Sequence, residues 1–199
     1  VDGFPAGLDA QMNEMVDEFL EDGRDRMDKA VVACHNEFNT VRTGRASTAL
    51  LDRIVVDYYG NKTPLKQLAN ISAPEPRLLV ITPYDKSSIK EIEHAIMDSE
   101  LGLNPNNDGN VIRLSIPELT EERRRELVKV VKGLSENGRV AVRNIRRHVL
   151  HDLEELQKEG EISEDDLRRT KEEMQKLTDQ HIERIDEMLK RKEGEILEV

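Results

Sequence analysis

Apolar residues near the start of the chain recur in steps of three and four, through Met12, Val16, Phe19, Met27, Val31, Cys34, Phe38 and Val41, with an interruption at Gly23. Such steps hold side chains on one seam of a helix with a period near 3.5, the pattern of packed helical bundles. The period returns after residue 118, where Leu127, Val131, Leu134, Val142, Ile145, Val149, Leu153 and Leu156 predict a helix of about 38 residues. Pro117 precedes it, Thr120 is placed to cap it, and Glu121 and Glu122 suit the positive end of its dipole. Gly160 reads as the residue just past its C-terminus, and Ser163 with Asp166 has the spacing of a capping box opening a third helix. That helix would bury Leu167, Met174, Leu177, His181, Ile185, Met188 and Ile196.

Each of these helices has one narrow apolar seam, so none is stable alone. Their similar lengths, about 30 to 38 residues, predict an elongated three-helix bundle in which the second and third helices are antiparallel neighbours. Gly23 is expected to weaken or bend the first helix. Residues 1–10 hold two glycines and a proline without a sustained period, and 1–14 are expected to form a flexible N-terminal extension.

Between the first and second helices the period changes. Leu51 to Tyr59 is rich in β-branched and aromatic residues and runs into the turn Gly60-Asn61. Ile71 to Ala73, Leu78 to Thr82 and Val111 to Ile116 read as further short strands, punctuated by prolines. Ser87 to Leu101 reads as an amphipathic helix with Ile89, Ile92 and Ile96 inward. The fold class is therefore α+β. A three-helix bundle, built from 15–43 and 119–199, carries a small β/α/β domain inserted at 44–118. Two adjacent linkers, at 43–45 and 117–118, make a natural hinge.

Charge changes this picture in one place. The chain carries a formal net charge of −11, with 36% charged residues and only 3% aromatic, which suits long surface helices. Residues 121–150 go against the trend, with 9 Lys/Arg against 4 Asp/Glu. At 100° per residue Arg139, Arg143, Arg146 and Arg147 share one side of the second helix, and Arg125, Lys129 and Lys132 extend the stripe. It is roughly 33 Å long, a shape suited to a polyanion with regularly spaced phosphates. The competing reading is a solvated face laced with ion pairs, and Glu136 lies within the stripe.

Other chemistry is sparse. There is no Walker A loop, GxGxxG, GxSxG or HExxH. His148 and His151 could share a metal, but nothing nearby completes a site, and His181 falls on the apolar seam. Asp165-Asp166 and Glu172-Glu173 belong to acidic helix surface rather than acid/base machinery. Tyr58 and Tyr59 alternate on a strand, so one packs inward and the other faces solvent. The single cysteine, Cys34, excludes an internal disulfide and fits a reducing compartment. No apolar run reaches the length of a membrane span, and no signal peptide is evident at the N-terminus. A cytoplasmic, non-enzymatic monomer without metal or cofactor is expected. A helical protein-binding scaffold or adaptor is the alternative, and a metal-dependent hydrolase a third.

Several ordered stretches together resemble the ribosome recycling factor family: Val41-Arg-Thr-Gly-Arg-Ala-Ser47, Val55-Val-Asp-Tyr-Tyr-Gly60, Leu101-Gly-Leu-Asn-Pro-Asn106, Leu119-Thr-Glu-Glu-Arg-Arg124, Arg139-Val-Ala-Val-Arg-Asn-Ile-Arg-Arg147, Glu161-Ile-Ser-Glu-Asp-Asp166 and Gln175-Lys-Leu-Thr-Asp179. They span the chain from about Met15 to its end, and residues 1–14 have no clear family counterpart. The resemblance implies an L-shaped molecule of roughly transfer-RNA outline that binds the post-termination ribosome on large-subunit RNA. With elongation factor G and GTP hydrolysis it would split the subunits and free the messenger, without itself catalysing a covalent change. By the same resemblance the RNA-contacting arginines fall at Arg139, Arg143, Arg146 and Arg147. The hinge falls at Gly44-Arg45 and Pro117-Glu118.

Overall fold

A computed structural model describes residues 6–197. The chain divides into two compact units: a helical one, which takes the chain up to Val41 and again over Glu126–Gly194, and a mixed one over Arg42–Arg125 and again from Glu195.

Three helices build the first unit: α1 (Ala6–Thr40), α4 (Glu121–Lys158) from Glu126 onward, and α5 (Glu164–Leu197) as far as Gly194. Their seams are the ones the periodicity marks. Met27, Val31, Cys34 and Phe38 of α1 are buried, as are Leu127, Val131, Val142, Val149 and Leu153 of α4 and Met174, Leu177, His181 and Ile185 of α5. Two layers fix the directions. Gly23 lies against Val149 and Met174, and Gly138 against Cys34 and Ile185. Each helix advances eleven residues between the layers, forwards in α1 and α5 and backwards in α4, so α4 is antiparallel to both of the others.

The helix ends follow the sequence signals. Thr120 Oγ1 accepts from the Arg123 N–H at 3.1 Å, capping α4. At the other end Gly160 has φ +77, with the Gly160 N–H on the Gln157 carbonyl and the Glu161 N–H on the Leu156 carbonyl, a complete Schellman closure. Ser163 Oγ then accepts from the Asp166 N–H at 3.1 Å and donates to its carboxylate at 2.7 Å, opening α5.

Two expectations are corrected here. The flexible extension over 1–14 is helical from Ala6, because from Leu8 to Asp22 no glycine or proline interrupts a run rich in helix formers; residues 1–5 lie outside the described residues. Nor does Gly23 interrupt α1. The helix runs through it, and the glycine is buried where a Cβ would come within 2.5 Å of the Met174 methyl, so its role is close packing.

The second unit holds a hairpin of β1 (Val55–Tyr58) and β2 (Asn61–Pro64), a short helix α2 (Leu65–Leu68), and α3 (Ile89–Met97). It also holds an antiparallel four-stranded sheet in the order β3-β4-β6-β5, made from β3 (Ala69–Glu75), β4 (Leu78–Pro83), β5 (Pro105–Asn107) and β6 (Ile112–Ser115). Ile89, Ile92 and Ile96 of α3 pack into a core with Leu79, Ile81 and Leu114. The strand expected from Leu51 starts only at Val55. Leu51 and Ile54 are both buried, and a three-residue spacing cannot put both on one face of a strand. A 3-10 turn, Thr48–Leu51, capped by Ser47, achieves it. The hairpin turn centres on Tyr59-Gly60, both with positive φ, one residue earlier than the Gly60-Asn61 expected. Strands β2 and β5 were not expected because asparagine and proline dominate them. Each pairs on one side only, where proline is tolerated.

Candidate nucleic-acid interface

The basic stripe lies on α4, beside the buried seam that faces α1 and α5. Within the helical unit it comprises Lys129, Lys132, Arg139, Arg143, Arg146 and Arg147. Arg125 is paired with Glu121 one turn back and belongs to the other unit, so it does not extend the helical unit's own face.

The six cations are held differently. Arg139 lies at the edge of the stripe nearest α5, and its side chain is only 20% exposed. Its Nε donates to Asp186 Oδ1 of α5 at 2.7 Å, and Nη2 sits 2.6 Å from the same oxygen. Its Nη1 donates to Glu136 Oε2 at 3.0 Å. Burial works against the charged guanidinium, but the hydrogen bonds to Asp186 and Glu136 outweigh it and the pKa rises above its ordinary value. Arg139 is thus turned toward a carboxylate of the bundle and joins α4 to α5.

Arg143, one turn on, is 41% exposed, and its Nη1 donates to the second oxygen of Glu136 at 3.2 Å. The hydrogen bond from Arg139, and behind it the one from Arg143, holds the Glu136 carboxyl below its usual range. Arg146 Nη1 donates to the neutral Gln175 Oε1 of α5, whose own amide donates to Asp179 Oδ1 at 2.8 Å. The Nε of Arg146 is buried without a partner. Arg147 is exposed, with one long contact of 3.4 Å to Asn144 Oδ1. Among the described residues no carboxylate pairs with Lys129, Lys132, Arg146 or Arg147. These four cations, with the uncommitted edge of Arg143, are the ones an external phosphate can claim. Nothing in the residue pattern signals the supporting set of Asp186, Gln175 and Asp179, because it depends on the register of α5 against α4.

The linker residues all lie in the mixed unit. Gly44 has φ +74, and a Cβ there would be 2.8 Å from Leu119 Cγ. Arg77 bridges to Glu118 at 2.9 Å, the Ile116 N–H donates to the Arg77 carbonyl, and the Ala46 N–H to the Pro76 carbonyl. The incoming segment at 43–46 and the outgoing one at 116–119 are therefore brought together, as the topology required. Arg45 and Pro117 are exposed beside them.

Elsewhere the candidates are quiet. Among the described residues no group of three His, Cys, Asp or Glu side chains is placed to hold a metal, and His148 and His151 are exposed. Cys34 is buried, and desolvation pushes its thiol up, away from nucleophilic use. His181 is instead a polar pin between α1 and α5: its Nε2 meets Asp28 Oδ1 at 2.8 Å, and Arg184 reaches the same oxygen. Tyr58 is half-buried with its hydroxyl on Asp85, whereas Tyr59 is exposed. No described helix is long and apolar enough to cross a membrane.

Comparison with known proteins agrees over most of the chain. The family model for ribosome recycling factor matches residues 34–197. The ribosome-recycling factor of Rubrobacter xylanophilus is 58% identical over 188 residues, covering 94% of this chain and all of that protein. That of Halalkalibacterium halodurans is 59% identical over 185 residues, 93% of this chain and again all of the relative. A solution structure of the ribosome recycling factor superposes with a TM-score of 0.71 at 46% identity, covering 92% of this chain and 98% of that one. A chain from models of the T. thermophilus ribosome recycling factor and E. coli elongation factor G bound to the E. coli post-termination complex gives a TM-score of 0.62 at 46% identity and the same coverage.

Proposed function

The chain belongs to the ribosome recycling factor family, and we propose that it binds the post-termination ribosome through the basic face of α4 on large-subunit ribosomal RNA. With elongation factor G and its GTP hydrolysis it separates the subunits and returns them for reuse. It acts as a cytoplasmic monomer that catalyses no covalent change and carries no cofactor. One observation carries the reading of the docking face: in a chain at −11, four cations lie on one helix without a carboxylate partner among the described residues. A guanidinium offers a planar fork of donors to phosphate and keeps its charge at any relevant pH. Contacts of this kind read backbone shape rather than base sequence.

The adjacent linkers at Gly44-Arg45 and Pro117-Glu118 support a second part of the proposal, that the mixed unit swings while the helical unit stays docked. A hinge needs both strands of the connection to bend at one place, and the close approach of Gly44 to Leu119 supports this reading. Subunit splitting measured with and without elongation factor G tests the function: dissociation that needs both proteins is expected. Full splitting activity after a crosslink that joins the helical unit to the mixed unit across the linkers would refute the swing.

A further inference from the structure

Glu136 stands among the arginines of α4, where a carboxylate should weaken the field that attracts phosphate. Its contacts give it another role. Oε2 accepts from Arg139 Nη1 at 3.0 Å and Oε1 from Arg143 Nη1 at 3.2 Å. Arg139 is itself anchored to α5, since Asp186 Oδ1 takes its Nε at 2.7 Å. Glu136 therefore ties the guanidinium of Arg143 to a fixed point. One nitrogen of Arg143 is used in this, while Nε and Nη2 keep no partner among the described residues and remain for a phosphate. An arginine that waits in its bound orientation has less rotamer freedom to lose on docking.

We infer that Glu136 is a positioning residue of the docking face: by bridging Arg139 and Arg143 it presets Arg143 for ribosomal RNA, and so strengthens binding despite its negative charge. The inference rests on the reading of α4 as the RNA-docking face.

The sign of one substitution separates the two roles. Glu136→Ala removes a negative charge from a surface that meets phosphates, so simple charge repulsion requires tighter binding. Positioning requires weaker binding, by about three- to ten-fold, the range expected for ordering one long side chain. The measurement is co-sedimentation of the full-length chain with large ribosomal subunits at two salt concentrations. Glu136→Gln, which keeps one carbonyl acceptor, should fall between wild type and the alanine variant. In an Arg143→Ala background Glu136→Ala should have little further effect, because its target is gone. Thermal unfolding should scarcely move, since exposed ion pairs contribute little to stability; where the alanine variant unfolds early, the glutamine variant decides. Affinity that rises or stays level in Glu136→Ala overturns the inference, as does a loss that persists in full without Arg143. If the wild-type chain fails to bind large subunits, or Arg146→Ala leaves affinity and salt dependence unchanged, the reading of the face itself falls and takes the inference with it. A wrong sign at Glu136 alone leaves that reading standing.

Discussion

Gly138 of α4 lies so close to Cys34 of α1 that a Cβ at position 138 would come 2.8 Å from the cysteine sulfur and 3.2 Å from its Cβ. This sets the approach of the two helices at one layer of the bundle, as Gly23 does eleven residues away. A glycine inside a helix costs about 1 kcal/mol relative to alanine, so its presence at a buried contact is explained only by packing. Three glycines in the helical unit therefore make a controlled series. Gly133 has nothing within 4 Å, and Gly133→Ala is expected to stabilise by about 0.5–1 kcal/mol. Gly138→Ala meets a short, buried side chain that cannot give way and is expected to destabilise by about 1–3 kcal/mol. Gly23→Ala meets the end of flexible Met174 and should fall between them. Urea denaturation of each variant checks the order, and Cys34→Ala should recover part of the Gly138→Ala loss.

The turn between β5 and β6 gives a pH-dependent test. Asp108 Oδ1 accepts the backbone N–H groups of Val111 and Asn110, and Oδ2 accepts from Arg113, which lowers its pKa from 3.8 to about 2. A carboxyl depressed on folding contributes stability that is full above its unfolded pKa and is lost as pH falls through the folded one. Asp108→Ala should therefore be less stable than wild type at neutral pH, with the difference shrinking from about pH 4 and nearly gone by about pH 2. Denaturant midpoints taken across that window check it. A difference that stays constant with pH would assign the effect to turn geometry instead of charge.

The linkers make a third test. Gly44 combines a left-handed backbone, φ +74, with a contact that leaves no room for a side chain against Leu119. Gly44→Ala is expected to cost about 1–2 kcal/mol from backbone conformation, with more from the clash. Leu119→Ala, which removes the clashing carbons, should relieve the second part and leave the first. Gly44→Asn, which tolerates the left-handed region better, should cost less backbone strain than Gly44→Ala. Melting temperatures of the four proteins separate the two contributions.

The periodic elements were legible because their period reports a buried seam directly. Val31, Cys34 and Phe38, like Val142, Val149 and Leu153, are buried where a 3.5 repeat puts them, and Thr120, Gly160 and Ser163 end their helices with the bonds their side chains permit. What escaped were features set by a neighbour. Gly23 looks like a breaker until Met174 and Val149 are placed against it. Strands β2 and β5 are polar because they sit at edges, and polarity in sequence reads as loop. At the site, all four arginines were legible as a stripe, but not their inequality. Arg139 faces Asp186 and Arg146 faces Gln175 only because α5 returns antiparallel at one particular register.

That inequality leads to the sharpest expectation for binding. Arg146 is held by an uncharged amide, keeps a buried Nε without a partner, and meets no neutralising carboxylate among the described residues. Arg146→Ala should weaken binding to large subunits and lower the slope of log K against log salt by roughly one unit, as expected when one phosphate fewer is neutralised. Its unfolding midpoint should hold, because the pair it leaves is neutral and partly satisfied by Asp179. Arg146→Lys should restore the salt slope but not the full affinity, since a lysine supplies charge without the planar fork. Arg139→Ala should do the reverse of Arg146→Ala. It breaks the ion pair to Asp186 that joins α4 to α5, so bundle stability should fall, by up to about 1 kcal/mol given the exposure of Asp186, while the salt slope changes least. Salt titrations of subunit binding, paired with denaturation of the same three variants, check both halves. Equal slopes for Arg139→Ala and Arg146→Ala would mean that Arg139 leaves Asp186 when the RNA arrives.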